Sequence, residues 1–142
     1  MKLLAIFTLI AGMFTHLLAN AGETGTAGQI PQAQAIASQW LALLDKDQFT
    51  ESWKQSATLL QQSVPQHQWQ EAMNNIRTSL GTVMSRQLKS AEARSSLPGA
   101  PDGEYVVIQY ETRYTNKAAA IETITPMKEK DGTWHVAGYY IR

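Results

Sequence analysis

Around Gly81 the spacing of the apolar residues changes from one helical turn to every second residue, which restricts the chain to folds with helices first and strands after. From Pro31 to Leu44 the residues Ala33, Ile36, Ala37, Trp40, Leu43 and Leu44 share one helical face. Asp45-Lys46-Asp47-Gln48 interrupts that stripe. A second helix is predicted from about Thr50, with Phe49 stapled onto Trp53 and then Leu59 or Leu60. A third is predicted to start at Ser63-Val64-Pro65, with Gln66 three residues after Ser63 as in a capping box. Its stripe is Trp69, Met73, Ile76 and Leu80, and Gly81 ends it.

Alternation of period two predicts strands at 82–93, 103–115, 118–130 and 133–141, with a loop at 94–102 that carries Pro98 and Pro101. The expected fold class is α+β: three N-terminal helices packed on a curved four-stranded antiparallel meander, in one domain spanning 31–142. Asp131-Gly132 suits a two-residue type I′ turn, which sets Lys130 against Thr133, Met127 against Val136 and Glu122 against Ile141. A two-residue turn at Asn116-Lys117 sets Tyr110 against Thr123. The helix-covered face then holds Tyr110, Thr112, Ile121, Thr123, Thr125, Trp134, Val136 and Tyr140. The outer face holds Tyr105, Val107, Glu111, Glu122, Ile124, Tyr139 and Ile141.

Two sets of candidate residues follow from those faces. Alternation places Arg86 inward between Met84 and Leu88, and a guanidinium seldom stays buried without an acceptor or an anionic ligand. Arg86 with Tyr110, Thr112, Thr123, Thr125 and Tyr140 makes a candidate ligand pocket; pairing of Arg86 with a helix acid is the competing reading. On the outer face Tyr105, Val107, Ile124, Tyr139 and Ile141 form an apolar patch suited to a partner, including a second copy of the chain. Glu111 and Glu122 would face each other there, with Arg113 within reach to neutralise them.

The N-terminal segment 1–21 has a positive start at Lys2, an apolar run from Leu3 to Ala19, and small residues at Ala19 and Ala21. That is the form of a signal peptide cleaved before Gly22, which would touch a membrane only before cleavage and export the chain, most simply to a periplasm. Residues 22–30 then read as a flexible tether. Twelve Lys and Arg balance twelve Asp and Glu, with no basic cluster for nucleic acid. The lack of cysteine leaves no disulfide, thiolate ligand or thiol nucleophile.

No metal or cofactor is expected. The chain has no Gly-rich phosphate loop, G-x-S-x-G or HExxH motif, and His67 and His135 fall on separate elements. The expected inner face also lacks an Asp or His to serve as general base.

The segments 96–107, 116–123, Asp131-Gly132-Thr133-Trp134 and Gly138-Tyr139-Tyr140-Ile141-Arg142, with Trp40-Leu41-Ala42-Leu43-Leu44-Asp45 and Ser52-Trp53, resemble the domain of unknown function 4019 family of exported bacterial proteins. Helices followed by a meander also resemble the nuclear transport factor 2-like, or cystatin-like, cone, which implies a pocket at the open end. The expected function is non-enzymatic: binding of an unidentified small ligand or protein through the cone pocket or outer sheet face. A small pocket enzyme of the ketosteroid-isomerase-like type, using Arg86 and Tyr110, and a passive envelope component are the alternatives.

Overall fold

The computed structural model describes residues 28–142, so the expected signal peptide and residues 22–27 of the tether lie outside the described residues. Among the described residues four helices precede four strands: α1 (Gln29–Asp45), α2 (Phe49–Lys54), α3 (Thr58–Ser63), α4 (Gln66–Leu80), β1 (Val83–Arg94), β2 (Tyr105–Tyr114), β3 (Lys117–Lys128) and β4 (Trp134–Ile141). The class is α+β, with the strands in the order β1-β2-β3-β4 as an antiparallel meander. Gln29 and Ile30, read as tether, belong to α1, and Ile30 packs against the core. The single helix expected after Phe49 is two helices. Ala57 is extended between them and its N–H donates to the Val136 carbonyl at 2.8 Å, so a contact with β4 replaces a turn of helix. The expected capping box is absent: the Ser63 hydroxyl donates back to the Leu59 carbonyl, and Pro65 stands at the N-cap of α4.

Both hairpins depart from the expected turns. Tyr114 pairs with Lys117, so the first turn is Thr115-Asn116. The end of α4 pins it there, since Asn116 N–H donates to the Leu80 carbonyl at 3.0 Å and the Asn116 amide donates to the Ser79 carbonyl. In the second hairpin only Gly132 has positive φ, at 84°, whereas a type I′ turn needs it at Asp131 too. Glu129 and Thr133 therefore close a three-residue loop, and the Asp131 carboxylate accepts from the Thr133 N–H and hydroxyl.

One residue of register reverses a strand's faces. Tyr110 lies opposite Glu122, not Thr123, and the inward row of β3 is Ala120, Glu122, Ile124 and Pro126. β4 pairs with β3 as expected over 138–141, but Pro126 lies opposite Val136, leaving Ala137 as an extra bulged residue. Trp134 and Val136 face the core as expected. Beyond the bulge Tyr139 and Ile141 turn inward, and Tyr140 is 50% exposed.

The main core joins Trp40, Leu41 and Leu44 of α1 and Trp69 and Met73 of α4 to Ile108, Ile124 and Val136 of the sheet. The tryptophans serve as packing and as ties between helices. Trp40 Nε1 donates to the Ser52 carbonyl at 2.8 Å, Trp69 Nε1 to the Ser52 hydroxyl at 3.0 Å, and Trp53 Nε1 to the Val64 carbonyl at 2.7 Å. A smaller cluster of Leu80, Tyr114 and Ala120, with Val83 and Ile141, lies where α4 enters β1. No helix among the described residues is long and apolar enough to cross a membrane.

Candidate functional site

Four charged side chains meet beneath the helices. Asp45 is the last residue of α1, Arg77 lies in the last turn of α4, Arg86 is on β1 and Glu122 on β3. The Arg86 guanidinium holds both acids: Nη1 and Nη2 donate to Asp45 Oδ2 and Oδ1 at 2.7 and 3.0 Å, and Nε donates to Glu122 Oε1 at 2.7 Å. Arg77 Nη1 donates to Asp45 Oδ1 at 2.9 Å, and Arg77 Nη2 lies 3.8 Å from Glu122 Oε2. The hydroxyls of Thr112 and Tyr139 also donate to Glu122, which is fully buried. Two guanidinium and two carboxylate groups cancel, so the cluster carries no net charge.

The titration of each group follows from these contacts. Burial alone would raise the Glu122 carboxyl, but Arg86, Thr112 and Tyr139 outweigh it and hold it below the usual carboxylate range. Asp45 is held low in the same way by Arg86 and Arg77. Burial and the neighbouring Glu122 push the Tyr139 hydroxyl well up and that of Tyr114 up to about 12. Tyr114 also lies under Arg77, 5.5 Å from guanidinium carbon to ring centroid. Both acids are thus ionised and supplied with donors at neutral pH, and both arginines are held in their charged form.

Beside this cluster is a cleft of about 460 Å³ where α1 and α4 end and β1 begins. Asp45, Asp47, Asn74 and Arg77 line its polar side, and Leu44, Phe49 and Val83 its apolar side. Asp45 is the most exposed member of the charged cluster, with 27% of its side chain open. Two features stand out. Arg77 Nε is buried without an acceptor. Asp47 adopts φ 57° at the position after the α1 cap, where Gln48 N–H donates to the Leu43 carbonyl and Asp47 N–H to the Leu44 carbonyl. That is a Schellman motif, whose left-handed residue is usually glycine.

Arg86, Tyr110 and Thr112 share the inner face as expected, and the acid on a helix that competes for Arg86 is Asp45. Leu88, opposite Tyr110, shares that face with Arg86 but is 53% exposed, and Met84 sits at a bulge and is 67% exposed, so neither flanking residue is buried as expected. Thr123, Thr125 and Tyr140 are not part of the pocket, because the reversal of β3 and the bulge in β4 turn them to the other face. The expected outer patch is also dispersed. Ile124 and Tyr139 are in the main core, Ile141 packs on the smaller cluster, and the buried Tyr105 hydroxyl donates to the Pro101 carbonyl. Only Val107 remains half-exposed on that side.

Glu111 and Glu122 are on opposite faces, and Glu111 lies 3.5 Å from Lys89. His135 is placed between the Gln55 carbonyl and the Thr133 hydroxyl, and His67 is exposed on α4. Among the described residues no group of three His, Cys, Asp or Glu is placed to hold a metal ion.

A family model described as protein of unknown function (DUF4019) matches residues 36–139, which covers α1 from Ile36 and nearly all of the sheet. The chain belongs to the DUF4019 family. A solved protein from Catenulispora acidiphila is similar in fold, with a TM-score of 0.57 and 9% identity over 84% of this chain and 94% of its own. No curated protein matches. In this DUF4019 domain the charged cluster joins the family region's first helix, Arg77, and two strands, so it holds the helical layer to the sheet as well as bordering the cleft.

Proposed function

We propose that this DUF4019 protein is an exported, non-enzymatic domain of nuclear transport factor 2-like build that binds a small ligand in the cleft beside Asp45 and Arg77. The observation that carries the reading is the cleft of about 460 Å³ itself, in which the polar side chains of Asp45, Asp47, Asn74 and Arg77 converge beside Val83. The non-enzymatic part rests on the two acids of the cluster, Asp45 and the buried Glu122. A general base works best with a pKa near the operating pH, and Asp45 and Glu122 are held low and engaged by guanidinium donors.

Filling the cleft tests the reading. Asn74 is exposed on α4, and Asn74→Trp adds bulk there without touching the core. A compound that raises the melting temperature of the natural chain should lose that effect in Asn74→Trp. Equal stabilisation of both proteins would place the ligand elsewhere and overturn the reading.

Export is supported by the sequence of residues 1–21. The full chain expressed in a Gram-negative host should appear in the periplasm with a mass that begins at Gly22. An unprocessed cytoplasmic product would refute it.

A second reading, a protein partner with an acidic group, is favoured by the outer sheet face. There Arg113 and Arg142 line a groove of about 540 Å³ and make no ion pair among the described residues. Double charge reversal, Arg113→Glu with Arg142→Glu, would release such a partner and leave the cleft ligand unaffected.

A further inference from the structure

We propose that the chain forms a two-fold dimer in which residues 90–94 of β1 pair antiparallel with the same segment of a second copy. β1 lies at one border of the sheet, and among the described residues no strand lies beyond it. A long free border invites pairing, and proteins blunt it with bulges and lysine. β1 is blunted in that way over its first half. Its register with β2 slips between Val83 and Ser85 and again between Leu88 and Ser90, which leaves Lys89 as the extra residue. Over 90–94 the pairing with 105–109 of β2 is unbroken, so this half of the border is regular and unguarded.

The hydrogen bonds of the sheet fix which groups face outward there. Lys128 N–H donates to the Glu104 carbonyl at 2.9 Å, so Glu104 bonds toward β3 and the next residue, Tyr105, bonds toward Arg94 of β1. Alternation along β1 then turns the N–H and C=O groups of Ser90, Glu92 and Arg94 to β2, and those of Ala91 and Ala93 to the open border. Both of these residues end in a methyl group on the helix-covered side, opposite Ile108 and Val106, so neither carries bulk that would hold off a second backbone.

The order of side chains about Ala93 selects a second copy as the occupant. A two-fold axis at Ala93 sets Glu92 against the partner's Arg94 and Arg94 against the partner's Glu92, with Ala91 against the partner's Ser95. Glu92 and Arg94 lie on the outer face, are about half exposed, and already pair with each other within one chain. In the dimer the four charges alternate in sign around the axis. An axis at Glu92 would instead set two carboxylates face to face, and one at Arg94 two guanidinium groups. An axis at Ala91 would leave Glu92 against the partner's Ser90 and Arg94 against the partner's Leu88, with neither charge matched.

Light scattering of the full chain's purified product over a concentration series tests the proposal, with variants that spare the bonds between β1 and β2. The natural product is expected to be a dimer. Ala93→Pro removes an outward N–H and no bond to β2, so it should give a monomer with an unchanged circular dichroism spectrum. Glu92→Arg or Arg94→Glu alone sets like charges opposite each other twice per dimer and should weaken association by about tenfold or more. The two exchanges together restore opposite signs and should restore the dimer. If Ala93→Pro does not fold, the charge series decides alone, because both side chains are exposed. A natural product that stays monomeric at about 1 mM overturns the proposal. So does a dimer that withstands both single reversals, or one that the double exchange fails to restore.

Discussion

Glu122→Ala should be the most destabilising single change in the charged cluster at neutral pH. The side chain is fully buried and its carboxylate accepts from Arg86, Thr112 and Tyr139. Removing it leaves Asp45 as the one carboxylate for Arg77 and Arg86, and the hydroxyl protons of Thr112 and Tyr139 without their acceptor. Breaking one partner out of a buried ion pair costs about 3–5 kcal/mol, against a total stability of about 5–15 kcal/mol for a domain. For a domain of this size that is about 12–20 °C in melting temperature, read by circular dichroism. A loss under about 1 kcal/mol would show that water compensates the arginines and that the cluster is not buried as described.

The same cluster fixes the acid limb of the stability curve. Asp45 and Glu122 titrate lower in the folded chain than in the unfolded one, whose ordinary values are 3.8 and 4.5. Their contribution is therefore complete above the unfolded values and is lost as pH falls through the folded ones. Melting temperature should be level from neutral pH to about 5 and decline below it, and Glu122→Gln should make the decline shallower.

Gly81→Ala is the second large effect. Gly81 has φ 79° and ψ −154°, a region open essentially to glycine alone. A Cβ there would lie 2.0 Å from the Thr115 hydroxyl oxygen, which accepts the Thr82 N–H at 3.0 Å, and 3.1 Å from the Asn116 amide. Backbone strain and displacement of the turn together should cost about 2–4 kcal/mol. A urea midpoint unchanged from that of the natural chain would mean that the link between α4 and β1 is looser than these contacts imply.

Much of the architecture was legible in the sequence, because it rests on local periodicity. The Trp40 stripe of α1, the stop at Gly81 and four alternating strands all follow from residue spacing. The faces of β3 did not, because long-range contacts decide them. The α4 carbonyls of Ser79 and Leu80 capture Asn116 and move the first turn by one residue. A shift of that size exchanges Thr123 for Glu122.

The candidate site was half legible. Arg86 was found by alternation, but its partners were not: Asp45 read as the end of a stripe and Glu122 as surface. Arg77 carries no separate signal in the helical spacing. It lies four residues after Met73 and three before Leu80, on the buried row, whereas Ile76 is 38% exposed. Ile76 fits the same row at least as well by spacing, so it is the partners Asp45 and Tyr139, far along the chain, that bury Arg77.

The Ser56–Ala57 contact with Val136 has a bearing on self-association. It covers the outer border of β4 at Val136, while among the described residues β1 has no strand beyond it. Two molecules meeting strand to strand would do so through β1, and each would then present only its occupied border. The bridge at Val136 opposes a further strand there, so Ala57→Pro, which removes the N–H donated to Val136, is the change expected to favour growth beyond a pair.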